Sequence, residues 1–236
     1  MSVEICIPAY NEEEIIAESV RAVADALQSF SLPEWRVVVV DNASTDRTAQ
    51  VVTELGLQSV TSRTIAERGK GAALIAAARA SSADIFGFIE ADLSADPMDM
   101  RECIARIASG EADVVIGSRL LDTQTVHRGF FRSFSSRLFN LLRRVILGID
   151  VVDSQCGLKL MNRKGTAHLA QCRETGWFLD LEFLARAEKL GLRIREMSVH
   201  WDEDRFPKRV SKLRVLRDGV QALVAMVRIR RSLVAS

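Results

Sequence analysis

The chain has 236 residues, 48% of them hydrophobic, and carries 32 lysines and arginines against 31 aspartates and glutamates, a formal net charge of +1. That length buries one substantial core, as a single domain or a domain with an appendage, and so even a charge balance argues against a nucleic-acid partner. No stretch reaches 18 uncharged apolar residues and the N-terminus is patterned as a strand, so neither a membrane span nor a signal peptide is expected.

The first half alternates strands and helices, the pattern of a mostly parallel sheet covered on both faces. Val3–Pro8 reads as a strand, after which Asn11 is placed to cap a helix over about 12–29 with Glu12, Glu13 and Glu14 in its first turn. Trp35–Asp41 is the second strand; Ser44 or Thr45 then caps a helix near 46–55, and a weaker strand lies around Gln58–Ser62. Arg68-Gly69-Lys70-Gly71 leads into an alanine-rich helix over about 72–80. Ile85–Ile89 is a short, fully buried strand, followed by a helix near 97–109 and a strand at Asp113–Gly117.

The second half differs in character. Residues 128–147 form an amphipathic helix rich in arginine, Cys156–Met161 a strand, and Leu179–Leu190 a helix closed by Gly191. Arg193–Val199 is a further strand, 201–212 a charged loop containing Pro207, and Leu213–Val234 a last basic and apolar helix. Charge is segregated here: Arg128, Arg132, Arg137, Arg143 and Arg144 stand in 127–149 without an acid, and 205–231 hold nine bases against Asp218 alone. These two helices suit a lipid headgroup layer, a dimer interface or a solvated basic rim. Cys6, Cys103, Cys156 and Cys172 have no zinc-like or redox-like spacing, which fits a reduced, cytoplasmic compartment.

Three acids follow the strand at 85–89. Glu90 and Asp92 alternate at its carboxyl end and point the same way, where an open α/β sheet binds ligands. Paired oxygen donors there suit magnesium or manganese with positions left open for phosphate oxygens. Asp96, before Pro97, starts the next helix. Arg68-Gly69-Lys70-Gly71 brings two cations and two permissive backbones to a helix N-terminus, an anion site in outline but without the spacing of a Walker loop.

Taken together, Ile7-Pro8-Ala9-Tyr10-Asn11-Glu12, Val40-Asp41-Asn42-Ala43-Ser44-Thr45-Asp46, Arg68-Gly69-Lys70-Gly71, Glu90-Ala91-Asp92, Gly117-Ser118-Arg119, Asp153-Ser154-Gln155-Cys156-Gly157-Leu158-Lys159-Leu160 and Gly176-Trp177-Phe178-Leu179-Asp180-Leu181-Glu182 occur in the order found in family-2 inverting glycosyltransferases of the A-type fold. The chain most resembles their dolichyl- and polyprenyl-phosphate glucosyl- and mannosyltransferases, and the Asp-Ser-Gln-Cys-Gly-Leu-Lys-Leu segment resembles the glucosyl branch more. The resemblance implies one glycosyltransferase domain over 1–236, with a nucleotide-sugar half at 1–120 and an acceptor half at 121–236. It implies that Pro8, Tyr10, Glu12, Asp41, Lys70 and Ala91 meet the nucleotide, Lys70 at the diphosphate. Asp92, with Glu90, would hold Mg²⁺ or Mn²⁺. Glu90 stands where the family usually has aspartate, which leaves Asp92 the safer ligand, with Ser94 a further oxygen.

Arg119 and Lys212 are implied phosphate clamps; the family's Arg-x-x-Gly-x-Ser-Lys is altered here, so Arg205 and Arg209 compete for its arginine. If the acceptor is a phosphate monoester, its second pKa of about 6 leaves it ionised at neutral pH and no strong base is needed. If it is a hydroxyl, Asp153, Asp180 or Glu182 would take the proton. Trp177 lines the acceptor site or packs in the core, while His127, His168 and His200 read as surface or packing residues.

The expectation is metal-dependent, inverting transfer of a hexose, from UDP-glucose ahead of GDP-mannose, to polyprenyl phosphate. The enzyme would sit peripherally at the cytoplasmic face of a membrane, as a homodimer or with a membrane protein partner. A glycosyltransferase acting on a saccharide or other hydroxyl, and a non-catalytic nucleotide-sugar-binding protein, stay open as alternatives.

Overall fold

The computed structural model describes residues 1–121, 141–202, 205–206 and 215–234, with side chains of the last segment from 221 to 233. Seven strands form one mixed sheet: β1 (Ser2–Ala9), β2 (Glu34–Asn42), β3 (Val60–Ile65), β4 (Ile85–Phe88), β5 (Val114–Ser118), β6 (Lys159–Asn162) and β7 (Ile194–Ser198). Their order is β3-β2-β1-β4-β6-β5-β7. The strands pair in parallel except β6, which runs against both β4 and β5.

The sequence explains the sheet's interior. Ile5, Ile7, Val37, Val39 and Val40 have no exposed surface, as continuous β-branched runs require when helices cover both faces. The helices are α1 (Ile16–Ser29), α2 (Thr48–Glu54), α3 (Lys70–Ala80), α4 (Met100–Ala108), α5 (141–147), α6 (Arg163–Leu169), α7 (Leu179–Lys189) and α8 (Val215–Val234). On α1, Ile16, Val20, Val23 and Leu27 recur at three- and four-residue spacing and are completely buried. Burying each contributes roughly 1.5–3 kcal/mol, so Val23→Asp would unseat this helix.

Several local expectations change. Asn11 does not cap α1; its φ is +53°, its Oδ1 accepts from Thr45 N at 2.8 Å, and the helix begins at Ile16. Neither Ser44 nor Thr45 starts α2; Asp46 accepts from Thr48 N at 3.0 Å, while Ser44 Oγ accepts from Asn11 N at 2.9 Å. Asp96 does open the turn Pro97–Asp99 before α4, accepting from Met98 N at 2.9 Å. Helix α6 was unforeseen and is capped by Asn162, whose Oδ1 accepts from Lys164 N and Gly165 N. The strand expected from Cys156 starts only at Lys159.

The reversal of β6 matters most for function. It pairs Lys159 with Phe88 on one side and with Ile116 on the other. The start of β6 therefore reaches the sheet edge where β1, β2, β4 and β5 end.

Candidate active site

At that edge the loops after β1 and β2 are joined by hydrogen bonds. Glu12 N donates to Thr48 Oγ1 at 2.9 Å and Arg47 N to Glu13 Oε2 at 2.9 Å. Asp41 is buried and its Oδ1 accepts from Ser44 N at 3.2 Å, so it shapes its own turn. Beside it, Asn42 Oδ1 is buried with no hydrogen-bond partner among the described residues. Tyr10 is half-buried, with the Arg68 guanidinium 5.1 Å from its ring centre, and Pro8 is half-buried near the end of β1 just before it. Pro8, Tyr10, Glu12 and Asp41 thus lie at the ends of β1 and β2 or in the turns that follow them.

The acid-bearing loop is tightly fixed. Ala91 is buried and its carbonyl accepts from Ser19 Oγ; Leu93 N donates to Glu90 O at 3.0 Å and Ser94 N to Asp92 Oδ1 at 3.1 Å. Leu93 has φ +46° with its side chain 1% exposed, a strained backbone of the kind that persists where burial over-determines it. The loop is also bridged to the segment entering 201–212: Ala95 pairs with Trp201 and Asp202 N donates to Ser94 O at 2.8 Å. Asp92 is half-buried at the loop's mouth.

Glu90 is tied to the cation at the start of α3. Its Oε1 accepts from Lys70 Nζ at 2.8 Å, and Gly157 leaves it room, since a Cβ there would lie 2.6 Å from Glu90 Cγ. Lys70 also reaches Asp180 Oδ2 at 3.2 Å, and Asp180 Oδ1 lies 2.7 Å from Lys159 Nζ. Lys159 has no exposed surface and donates as well to Cys156 O at 2.6 Å. Glu90, Lys70, Asp180 and Lys159 thus form one alternating chain of charge. Burial opposes the Lys70 ammonium, but Asp180 and then Glu90 overcome it and hold its pKa above the ordinary lysine value. Burial likewise opposes the Asp180 carboxylate, and Lys159 and Lys70 hold it below the ordinary range.

The glycines of Arg68-Gly69-Lys70-Gly71 serve a close approach. A Cβ on Gly69 would meet Thr175 O at 2.1 Å and one on Gly71 Glu174 O at 2.3 Å, while Ala72 N donates to Thr175 O at 3.0 Å. The segment 174–176 therefore occupies the N-terminus of α3 that was expected to be a bare anion site. Glu182 Oε2 accepts from Arg173 N and Glu174 N at 2.8 and 2.7 Å and so holds that same segment. Trp177 is 59% exposed, 5.8 Å from Lys70 Nζ, and so is not a core residue.

Arg119 and Asp153 are paired with each other. The guanidinium reaches the two carboxylate oxygens at 2.6 and 2.7 Å, and Arg119 N adds a third bond at 3.1 Å. Arg119 stacks over Trp201 at 4.7 Å. Burial works against the Asp153 carboxylate, and its bonds to Arg119 more than offset that, leaving its pKa below the ordinary range. Lys212 and Arg209 lie outside the described residues, as does His127; Arg205 is exposed. His168 lies on α6 and His200 is exposed and paired with Asp99 at 2.9 Å. Lys159 was not foreseen; its signal was a lone charge inside an otherwise apolar strand.

No three acid, histidine or cysteine side chains among the described residues converge on one point. The acid loop fits an ion bound through one or two carboxylates, the manner in which Mg²⁺ takes its other ligands from substrate phosphates and water.

Residues 4–169 match the family model described as Glycosyl transferase family 2. Glycosyltransferase AglD of Haloferax volcanii is 32% identical over 92% of this chain, which spans 35% of that protein's length. A dolichyl-phosphate beta-glucosyltransferase of Dictyostelium discoideum is 26% identical over 96% of the chain and 73% of its own. An undecaprenyl-phosphate 4-deoxy-4-formamido-L-arabinose transferase of Salmonella choleraesuis is 28% identical over 86% of the chain and 61% of its own. Among solved structures, glucosyl-3-phosphoglycerate synthase from Mycobacterium tuberculosis in complex with Mn²⁺, uridine diphosphate and glucosyl-3-phosphoglycerate superposes with a TM-score of 0.70 at 22% identity, over 97% of this chain and 79% of that one. That likeness shows a shared fold.

Proposed function

Because the chain belongs to glycosyl transferase family 2, we propose that it moves a hexose from a nucleotide diphosphate sugar, UDP-glucose ahead of GDP-mannose, to the phosphate of a polyprenyl phosphate at the cytoplasmic face of a membrane. The observation that carries this reading is the convergence at one sheet edge of Asp92, the nucleoside-side turns at Tyr10 and Asp41, and the Arg119–Asp153 pair. Relatives that act on dolichyl and undecaprenyl phosphate support the acceptor class.

In this reading the residues after β1 and β2 hold the nucleoside, and Asp92, with Glu90 in support, holds Mg²⁺ or Mn²⁺. The ion would act as a Lewis acid on the leaving diphosphate. Arg119, already aimed by Asp153, meets the acceptor's phosphate. Its oxygen attacks the anomeric carbon as the bond from that carbon to the nucleotide's phosphate oxygen breaks, which inverts the centre. A phosphate monoester is largely ionised at neutral pH, so no proton has to be removed. The ion pairs of Asp153 and Asp180 support a phosphate over a hydroxyl acceptor, because a carboxylate held at low pKa is a poor base.

The surface opposite the buried face of α8 supports membrane contact. Leu223, Val224 and Val227 are exposed beside Arg230 and Arg231, and Arg230 donates to Ile146 O of α5, where Leu141 and Val145 are exposed too. No helix among the described residues is long and apolar enough to cross a membrane. The test is transfer of radiolabel from UDP-glucose or GDP-mannose, with MnCl₂, into undecaprenyl phosphate presented in detergent. Lipid-extractable label is expected; label reaching only added saccharides would move the reading to a hydroxyl acceptor.

A further inference from the structure

Trp177 has no part in the mechanism above, and its backbone is held far more firmly than an exposed indole requires. Arg173 N and Glu174 N are bound by Glu182, and Thr175 O accepts from Ala72 N at 3.0 Å. The Glu174 carboxylate takes the Arg228 guanidinium of α8 at 2.6 and 2.7 Å, and Phe178 O accepts from Leu181 N at 3.1 Å. Between residues 173 and 189 Trp177 is nevertheless the one large apolar side chain left in solvent. Exposing it forgoes the burial that makes aromatic residues strong contributors to cores and interfaces.

Two observations define its surroundings. Lys70 Nζ stands over the ring, 5.8 Å from its centre, and the same ammonium lies 2.8 Å from Glu90 Oε1, in the loop that carries Asp92. The indole thus flanks the acid loop from the α3 side, whereas Trp201 at the same edge is stacked with Arg119. The second observation is Gly176. Its φ is not in the left-handed region, and a Cβ on it would meet nothing within 4 Å, so neither turn geometry nor close packing requires glycine there, unlike at Gly69 and Gly71. A bare stretch of backbone beside an uncovered indole leaves room for a ring to lie flat against both.

We propose that Trp177, with the open backbone at Gly176, is the platform on which the donor's hexose ring stacks. A hexopyranose turns apolar C–H groups out of its ring face and hydroxyls out of its rim, so an aromatic face ringed by charged groups suits it. The hexose is joined directly to the diphosphate, so an ion at Asp92 that holds the diphosphate brings the ring to the side of the acid loop where this indole stands. An isoprenoid would need a run of exposed apolar side chains, and that run lies on α5 and α8 at Leu141, Val145, Leu223, Val224 and Val227. The inference rests on the nucleotide-sugar reading and names a residue that recognises the sugar instead of the nucleotide.

The experiment is calorimetric titration of UDP-glucose and of UDP, each with MnCl₂, into the whole chain, Trp177→Ala and Trp177→Phe, with GDP-mannose and GDP as a second pair. For the pair that the unmutated chain binds more tightly, Trp177→Ala should weaken the nucleotide sugar about tenfold and the bare diphosphate less than about twofold, and Trp177→Phe should restore most of the loss. A merely structural role would not give that split, because displacing Lys70 or the 174–176 segment would weaken both ligands together. Equal weakening of the two, or unchanged affinity for the nucleotide sugar, would overturn the platform. Weaker binding of farnesyl phosphate by Trp177→Ala with the donor unaffected would place the indole at the acceptor and overturn it also. If Trp177→Ala fails to fold, Trp177→Leu, apolar but without an aromatic face, carries the same test. Failure of the reaction is separable: Trp177-dependent binding of the nucleotide sugar without any transfer to undecaprenyl phosphate would leave the platform and remove the transferase reading, whereas transfer with an unchanged donor KM in Trp177→Ala would do the reverse.

Discussion

Lys159, wholly enclosed at the start of β6, holds Asp180 at 2.7 Å from the first turn of α7. Through Asp180 the charge chain continues to Lys70 and Glu90, so a strand, two helices and the acid loop are locked by one set of ion pairs. Asp180→Asn would leave two buried ammonium groups against Glu90 alone. The expected loss is about 3–5 kcal/mol of stability, as for breaking a buried ion pair. Urea unfolding checks it, and Glu182→Gln, which keeps its hydrogen-bonding shape, should cost less.

The two close approaches at α3 give a second expectation. Gly71→Ala places a Cβ within 2.3 Å of the Glu174 carbonyl and forces the 174–176 segment away. Overpacking of this sort costs about 1–3 kcal/mol. Because Trp177 follows directly, a shift in tryptophan fluorescence should accompany the lowered melting temperature.

Buried thiols set the alkaline limit. Burial pushes the Cys156 thiol up to about 11 and raises Cys6, Cys103 and Cys172 as well. A group whose folded pKa is raised contributes stability that is full below its unfolded value, near 8.5, and is lost as pH rises toward the folded value. Stability should therefore decline above about pH 8.5, and Ellman's reagent should react with the native chain slowly and with the unfolded chain at all four cysteines. Asp153 and Asp180 act with the opposite sign: their folded pKa values are depressed, so their contribution holds above about pH 4 and is lost as pH falls below it.

Asp153 is paired with Arg119, and in the proposed reaction it would hold that arginine instead of serving as a base, two roles that kinetics can separate. Asp153→Asn should lower kcat/KM for the lipid phosphate by roughly 10²-fold while leaving the rate flat between pH 7 and 9. Appearance of a new pH dependence, or its loss from an unmutated chain that had one, would assign Asp153 to proton transfer.

Much of this molecule was legible beforehand for a physical reason. The runs Ile5–Ile7, Val37–Val40, Phe86–Ile89 and Val114–Ile116 are apolar without alternation and end at breakers, which only strands buried on two faces require. Helix α6 escaped notice because its seven residues carry too few apolar positions for a period, leaving Asn162 as its only marker. The pairings within the site were not legible. Lys70 and Asp180 are 110 residues apart, on α3 and α7, and Lys159 joins them from a strand that runs against its neighbours. Arg143 and Arg144 look alike in a basic stretch, yet their helical positions send one inward and the other to solvent.

The account depends on Asp92 helping a divalent cation secure a nucleoside diphosphate. Calorimetric titration of UDP with and without MnCl₂, into the unmutated chain and Asp92→Asn, addresses that directly. Manganese should tighten UDP at least tenfold in the unmutated chain and by less than twofold in Asp92→Asn. UDP affinity indifferent to manganese in the unmutated chain, or a full manganese effect retained by Asp92→Asn, would contradict it.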